Sequence, residues 1–165
     1  MDAGRSSQPG SMKNRMSVER KSERELVVTR TINAPPRIVF EAWTKAELMR
    51  RWWVPQSSGL KLLSCEMDVR TGGGYRFVFE HPAAPDGMAF FGRYLEVSPH
   101  SRLVWTNDES GDAGQVSTLT LEEHGDTTRI VLHELYPSAD AFEAAKGSYD
   151  GMPESFAQLD ALLAE

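Results

Sequence analysis

A single cysteine, Cys65, stands in 165 residues, so no disulfide can close within the chain and no zinc site built on a cysteine pair can form. Long apolar runs are missing as well. Nowhere do 18 or more apolar residues follow one another, which argues against a membrane-spanning helix, and Met1 to Ser22 holds no apolar stretch of the kind a signal peptide needs. Basic charge is scarce outside the N-terminal region: residues 1–24 carry six Lys/Arg against three Asp/Glu, and the remainder 12 against 21. An acidic domain without a Lys/Arg stripe repels a phosphate backbone, so no nucleic-acid partner is expected. Also absent are a phosphate loop, a dinucleotide fingerprint and a nucleophile elbow. His81, His100 and His124 fall in or beside turns without ligand spacing, so neither a metal nor another cofactor is expected. These absences predict a cytoplasmic protein with no membrane partner.

What is present reads as one domain over residues 24–165, preceded by a disordered basic tail at 1–23. Glu25 to Asn33 alternates as a strand, with Leu26, Val28 and Arg30 on one face, and Ala34-Pro35-Pro36 ends it. Helical spacing follows over Arg37 to Thr44 and Ala46 to Trp53, closed by Pro55. Adjacent Trp52 and Trp53 cannot both point inward from a short helix, so one is expected near a cavity mouth. Strands are predicted at Leu60 to Val69, Tyr75 to His81, Met88 to Ser98, Arg102 to Thr106, Gln115 to Glu123 and Thr127 to Leu135. Gly72-Gly73-Gly74 and His124-Gly125-Asp126 read as hairpin turns, Pro82 to Gly87 and Asn107 to Gly114 as loops, and Gly92 as a candidate bulge. Ser138 to Glu165 is helical but interrupted at Gly147 and at Gly151-Met152-Pro153. From Glu154 onward Phe156, Leu159, Leu162 and Leu163 share one stripe. The order is β-α-α, a six-strand antiparallel meander and a closing helix, an α+β arrangement.

The succession Ile32-Asn33-Ala34-Pro35, Val39-Phe40-Glu41-Ala42-Trp43-Thr44, Trp52-Trp53, Asp68-x-Arg70-x-Gly72-Gly73 and Gly92-x-Tyr94-x-Glu96-Val97-x-Pro99, with Leu103-Val104 and a terminal Gly151 ahead of Leu159 and Leu162, resembles the heat-shock-protein-90 ATPase activator homologue family. That is a branch of the START-like (SRPBCC) superfamily. The resemblance implies a helix-grip fold: a seven-stranded antiparallel sheet around a long C-terminal helix, two short helices after the first strand, and a cavity that holds apolar ligands in relatives. It also brings two alternatives to simple ligand binding, a cyclase or aromatase-type enzyme and a chaperone-contacting module. The family usually has Trp where this chain has Met152, which suggests a differently shaped pocket end.

Tyr75, Phe77 and Phe79 alternate on one strand and need an apolar cover. With Trp43, Trp52, Trp53, Phe90, Trp105, Met152 and Phe156 they are the candidate lining of a cavity between the sheet and the C-terminal helix, and a small apolar or aromatic molecule is the expected partner. An empty cavity of about 300 Å³ would cost on the order of 7 kcal/mol, comparable to a domain's whole stability of about 5–15 kcal/mol. Such a pocket therefore persists only if partly polar and wet, or occupied. Asp68 and Arg70 share a strand face and read as a hairpin-bracing ion pair or a polar anchor for ligand. His133 is either a hydrogen-bonded strand histidine or a general acid or base in the cavity. Cys65 reads as a small buried hydrophobe.

Overall fold

The computed structural model describes residues 16–108, 115–144 and 152–164. The expectations for residues 1–15, most of the 107–114 loop, Gly147 and Gly151 lie outside them. Eight antiparallel strands form one sheet: β1 Ser17–Ser22, β2 Glu25–Ile32, β3 Lys61–Met67, β4 Gly74–His81, β5 Ala84–Ser98, β6 Arg102–Asn107, β7 Gln115–His124 and β8 Thr127–Leu135. Their order is β1-β2-β8-β7-β6-β5-β4-β3, so β3 to β8 make the expected six-strand meander and β2 closes onto its last member. Helices α1 (Pro36–Thr44) and α2 (Ala46–Trp52) carry the chain from β2 at one side of the sheet to β3 at the far edge. After β8 come α3 (Ala139–Ala144) and α4 (Met152–Leu163).

Two boundaries differ from expectation. Residues 17–22 are not a tail but an edge strand, paired from Ser17↔Thr29 to Ser22↔Glu25; all six are exposed, so no apolar alternation marks them, and backbone pairing with β2 supplies the order. Arg20 fastens this strand to α3, with its guanidinium 4.2 Å from the Phe142 ring centroid and 3.1 Å from Glu143. The sheet thus has eight strands rather than seven. In addition β5 begins at Ala84 instead of Met88, because Met88 already pairs with Phe79 and Ala84 with His81 across an irregularity.

Alternation decides which face is covered. On β2, Leu26, Val28, Arg30 and Ile32 are buried while the residues between them are partly exposed, and on β8 the buried set is Thr128, Ile130, Leu132 and Glu134. The helices pack on this inner face. Pro36 stands in the first turn of α1, where a missing N–H leaves no bond unmade. Val39, Phe40, Ala42 and Trp43 then form its buried stripe. The α4 stripe of Phe156, Leu159 and Leu162 is buried too, and Asp160 on the same helix reaches the buried Arg30 at 3.1 Å while accepting the Asn33 backbone N–H.

Candidate functional site

A cleft opens between the inner face of β4 to β6 and the corner of α1 and α2. It encloses about 420 Å³ of atom-free space, counting its open mouth. The helices contribute Trp43, Met49 and Trp53; the sheet contributes Tyr75, Phe77, Phe90, Tyr94, Leu103, Trp105 and Asn107. Strand alternation explains the set: Tyr75 and Phe77 are two apart on β4, and Leu103, Trp105 and Asn107 lie at every second position of β6. The registers Tyr75↔Gly92, Phe77↔Phe90 and Tyr94↔Trp105 bring the three strands' inward residues side by side.

Trp43 is the hinge of this wall. Its ring centroid lies 4.8 Å from Trp52, 6.0 Å from Trp53, 5.9 Å from Trp105 and 6.4 Å from Phe156. Trp52 is fully buried and donates its indole N–H to the Ala42 carbonyl at 3.0 Å, whereas Trp53 is partly exposed and faces the cleft. The tryptophan pair is therefore divided between core and mouth. The position of Trp53 is fixed from behind by α4: Ser155 Oγ donates to the Trp53 carbonyl at 2.9 Å, and Gln158 Nε2 donates to the carbonyls of Trp52 and Val54 at 2.8 and 2.9 Å.

One end of the cleft is polar. Tyr75 Oη donates to the Thr106 carbonyl at 2.6 Å and lies 3.1 Å from Asn107 Oδ1. Asn107 Nδ2 donates to Ser117 Oγ at 3.0 Å, and Ser117 Oγ is hydrogen-bonded to Glu134 Oε1, to which Gln115 also donates. Glu134 is 7% exposed. Burial pushes its carboxyl up to about 7, against the opposing pull of the Ser117 and Gln115 hydrogen bonds. Tyr94 is raised as well, chiefly by burial.

Of the residues expected from the sequence, Trp43, Trp53, Tyr75, Phe77, Phe90 and Trp105 meet in the cleft. Trp52, Phe79 and Phe156 are core side chains with 0–2% exposure. Met152 packs partly buried against that core. The cleft accordingly sits under α1 and α2, not between the sheet and α4, because Phe156, Leu159 and Leu162 already fill the space that α4 covers. His133 lies on the outer face, 2.9 Å from Glu25, since the inward residues of β8 are its even-numbered neighbours; it has no part in the cleft. Asp68 and Arg70 form an exposed ion pair at 3.0 Å on the hairpin. Cys65 is partly buried, with its thiol pushed up by desolvation. Sequence reading passed over Met49, Tyr94, Leu103 and Asn107 in the cleft, and the buried Glu134 behind it. Glu134 carried a signal: it continues the alternation of Ile130 and Leu132 on β8.

Among the described residues no group of His, Cys, Asp and Glu could hold a metal ion, and no helix is long and apolar enough to cross a membrane. The family model for activator of Hsp90 ATPase homolog 1-like protein matches residues 33–164. A solved structure from Chromobacterium violaceum is similar, with 32% identity, coverage of 84% of this chain and 96% of that one, and a TM-score of 0.68. A Rhodobacter sphaeroides protein superposes with a TM-score of 0.81 at 23% identity, covering 91% of this chain and 98% of the other. An AHSA1-like protein from Aeromonas hydrophila matches at 15% identity with a TM-score of 0.68, over 84% of this chain and 95% of that one. No curated protein matches the chain.

Proposed function

The chain belongs to the activator of Hsp90 ATPase homolog 1-like family, with the helix-grip fold, and from this premise we propose that it binds a small apolar or aromatic molecule in the cleft beneath α1 and α2. The observation that carries the reading is the convergence of Trp43, Trp53, Tyr75, Phe77, Phe90 and Trp105 from five elements on one partly open space. These rings touch one another, as Trp53 and Tyr75 do with Phe77, but Trp53 and Tyr75 stay partly exposed and Phe90 exposed at the mouth, whereas Phe156 and Leu159 under α4 are closed off from solvent. Binding draws on the removal of apolar ligand surface from water, about 25 cal/mol per Å², and on ring contacts with the tryptophans.

The test is a titration of the full chain with an aromatic hydrocarbon, 2-isopropenylnaphthalene, followed by tryptophan fluorescence and calorimetry. One molecule bound per chain is expected. Trp53→Ala, which removes a partly exposed wall, is expected to weaken binding about tenfold, the equivalent of roughly 55 Å² of lost apolar contact, with only a small change in melting temperature. Absence of binding, or equal affinity in Trp53→Ala, overturns the reading.

A further inference from the structure

Polar side chains on a buried sheet face are costly unless each is paired, and a carboxyl buried without a cation is more costly still. The inner face of β6 to β8 nevertheless carries Asn107, Ser117 and Glu134 in one connected row. Across the strands, Ser117 stands opposite Glu134 and also opposite Trp105, so the row begins in the core beside Leu26, the β2 partner of Glu134, and ends at the cleft wall. The chain of contacts runs from Glu134 through Ser117 Oγ to Asn107 Nδ2, 3.0 Å away. Its far end is the partly exposed Asn107, next to Tyr75.

An amide nitrogen has two hydrogens. In the structure one of those on Asn107 goes to Ser117 Oγ, and the other has no acceptor among the described residues. Turning the amide over does not change the balance, since Nδ2 would then donate to Tyr75 Oη with its second hydrogen still unpaired. The polar end of the cleft thus presents an unpaired amide N–H, in addition to the indole N–H of Trp43, which is buried in the wall with no acceptor among the described residues. We propose that Asn107 is the specificity-determining residue of the cleft: it selects, among apolar ring compounds, those bearing a hydrogen-bond-accepting oxygen such as a ketone. Ser117 is its positioning residue, linking the amide to the buried Glu134. A fixed amide loses less freedom on binding than a mobile one, and the carboxyl behind Ser117 supplies the acceptor that fixes it. Burial holds that carboxyl where it exchanges protons near neutrality, in keeping with a group surrounded by hydrogen bonds and not by charges.

This inference rests on the cleft-binding reading above, and the experiment separates the two. The probes are 2-acetylnaphthalene and 2-isopropenylnaphthalene, which share size and shape and differ in the accepting oxygen. Calorimetric titration of the full chain is expected to show the ketone bound about five- to tenfold tighter, the range of one net hydrogen bond. Asn107→Leu is expected to erase the preference while retaining the hydrocarbon. Ser117→Ala is expected to reduce the preference without changing hydrocarbon affinity, and Ser117→Thr, which restores the hydroxyl, to recover it; a merely structural role for Ser117 would shift both probes together. Equal affinities in the unaltered protein, or a preference that survives Asn107→Leu, overturn the inference and leave the cleft reading standing. Should Asn107→Leu melt below the assay temperature, a preference undiminished in Ser117→Ala overturns it instead. Failure of both probes to bind overturns the cleft reading and this inference with it.

Discussion

An ideal Cβ on Gly92 would lie 2.0 Å from the Thr106 carbonyl oxygen and 2.9 Å from Tyr75 Oη. The carbonyl is backbone and cannot swing away, and it also accepts the Tyr75 hydroxyl at 2.6 Å. Gly92→Ala must therefore part β5 from β6 at the polar end of the cleft. Overpacking of this kind costs about 1–3 kcal/mol, more than the few tenths to one that alanine gains through the unfolded chain. Thermal melting is expected to fall by about 5 °C, and a variant as stable as the parent would remove the close approach from the account. The sequence marked Gly92 as a bulge, whereas the register shift falls between Tyr94 and Glu96. A glycine in a strand signals either a bulge or a near neighbour, and only the fold reveals which. The same holds for the cleft wall. Aromatics on β4 and the divided tryptophan pair were legible from alternation and helical spacing. The inward turn of Asn107 was not, because as the last residue of β6 it reads locally as the start of a polar loop.

Among the elements, α2 depends most on its neighbours. Seven residues make two turns, too few to hold a helix in water unaided, and its last carbonyls would face a partly buried space. Gln158 of α4 meets the need, donating to Trp52 and Val54 while its Oε1 accepts the Gln56 N–H at 2.9 Å. Glu154 adds contacts to the Ser57 backbone and hydroxyl, which hold its carboxyl below the usual range. Gln158→Ala is expected to destabilise the protein by about 1–2 kcal/mol, read in urea denaturation, and to weaken 2-isopropenylnaphthalene binding through the loosened Trp53. A loss of stability with unchanged binding would mean that α2 keeps its place without α4. Element types were written plainly in the sequence for the meander, where apolar alternation and turn residues agree. They were hidden for β1, whose residues are all exposed and whose order comes from a partner strand. The location of the cleft was hidden for a related reason: the stripe on α4 shows that the helix is buried, but not that Phe156, Leu159 and Leu162 leave no room beneath it.

For the molecule as a whole, Glu134 links stability to pH. Burial pushes its carboxyl up to about 7 in the folded protein, against the ordinary 4.5 of a glutamate in the unfolded chain. Below 4.5 both states hold the proton; between 4.5 and 7 only the folded state does, so unfolding releases it and stability declines as pH rises through this window. The full effect is on the order of 3 kcal/mol, a large share of a typical domain's stability. Glu25, Glu96 and Glu154 are shifted downward and act in the opposite sense, losing stability as pH falls through their lowered values. All three are only partly buried, and the solvent that reaches them screens their effect. Net charge pulls in the same direction as Glu134, since an acidic chain repels itself more as its carboxylates ionise. Salt separates the two contributions, because it screens surface repulsion but reaches a buried carboxyl poorly. Urea denaturation in high salt is therefore expected to give a higher midpoint at pH 5 than at pH 8, and Glu134→Gln, neutral at both, to flatten the difference. A slope that persists in Glu134→Gln would place the titrating group elsewhere. A parent protein without any slope would mean that Glu134 is ionised as readily as in water, and hence that its surroundings are wetter than the buried row from Ser117 to Asn107 implies.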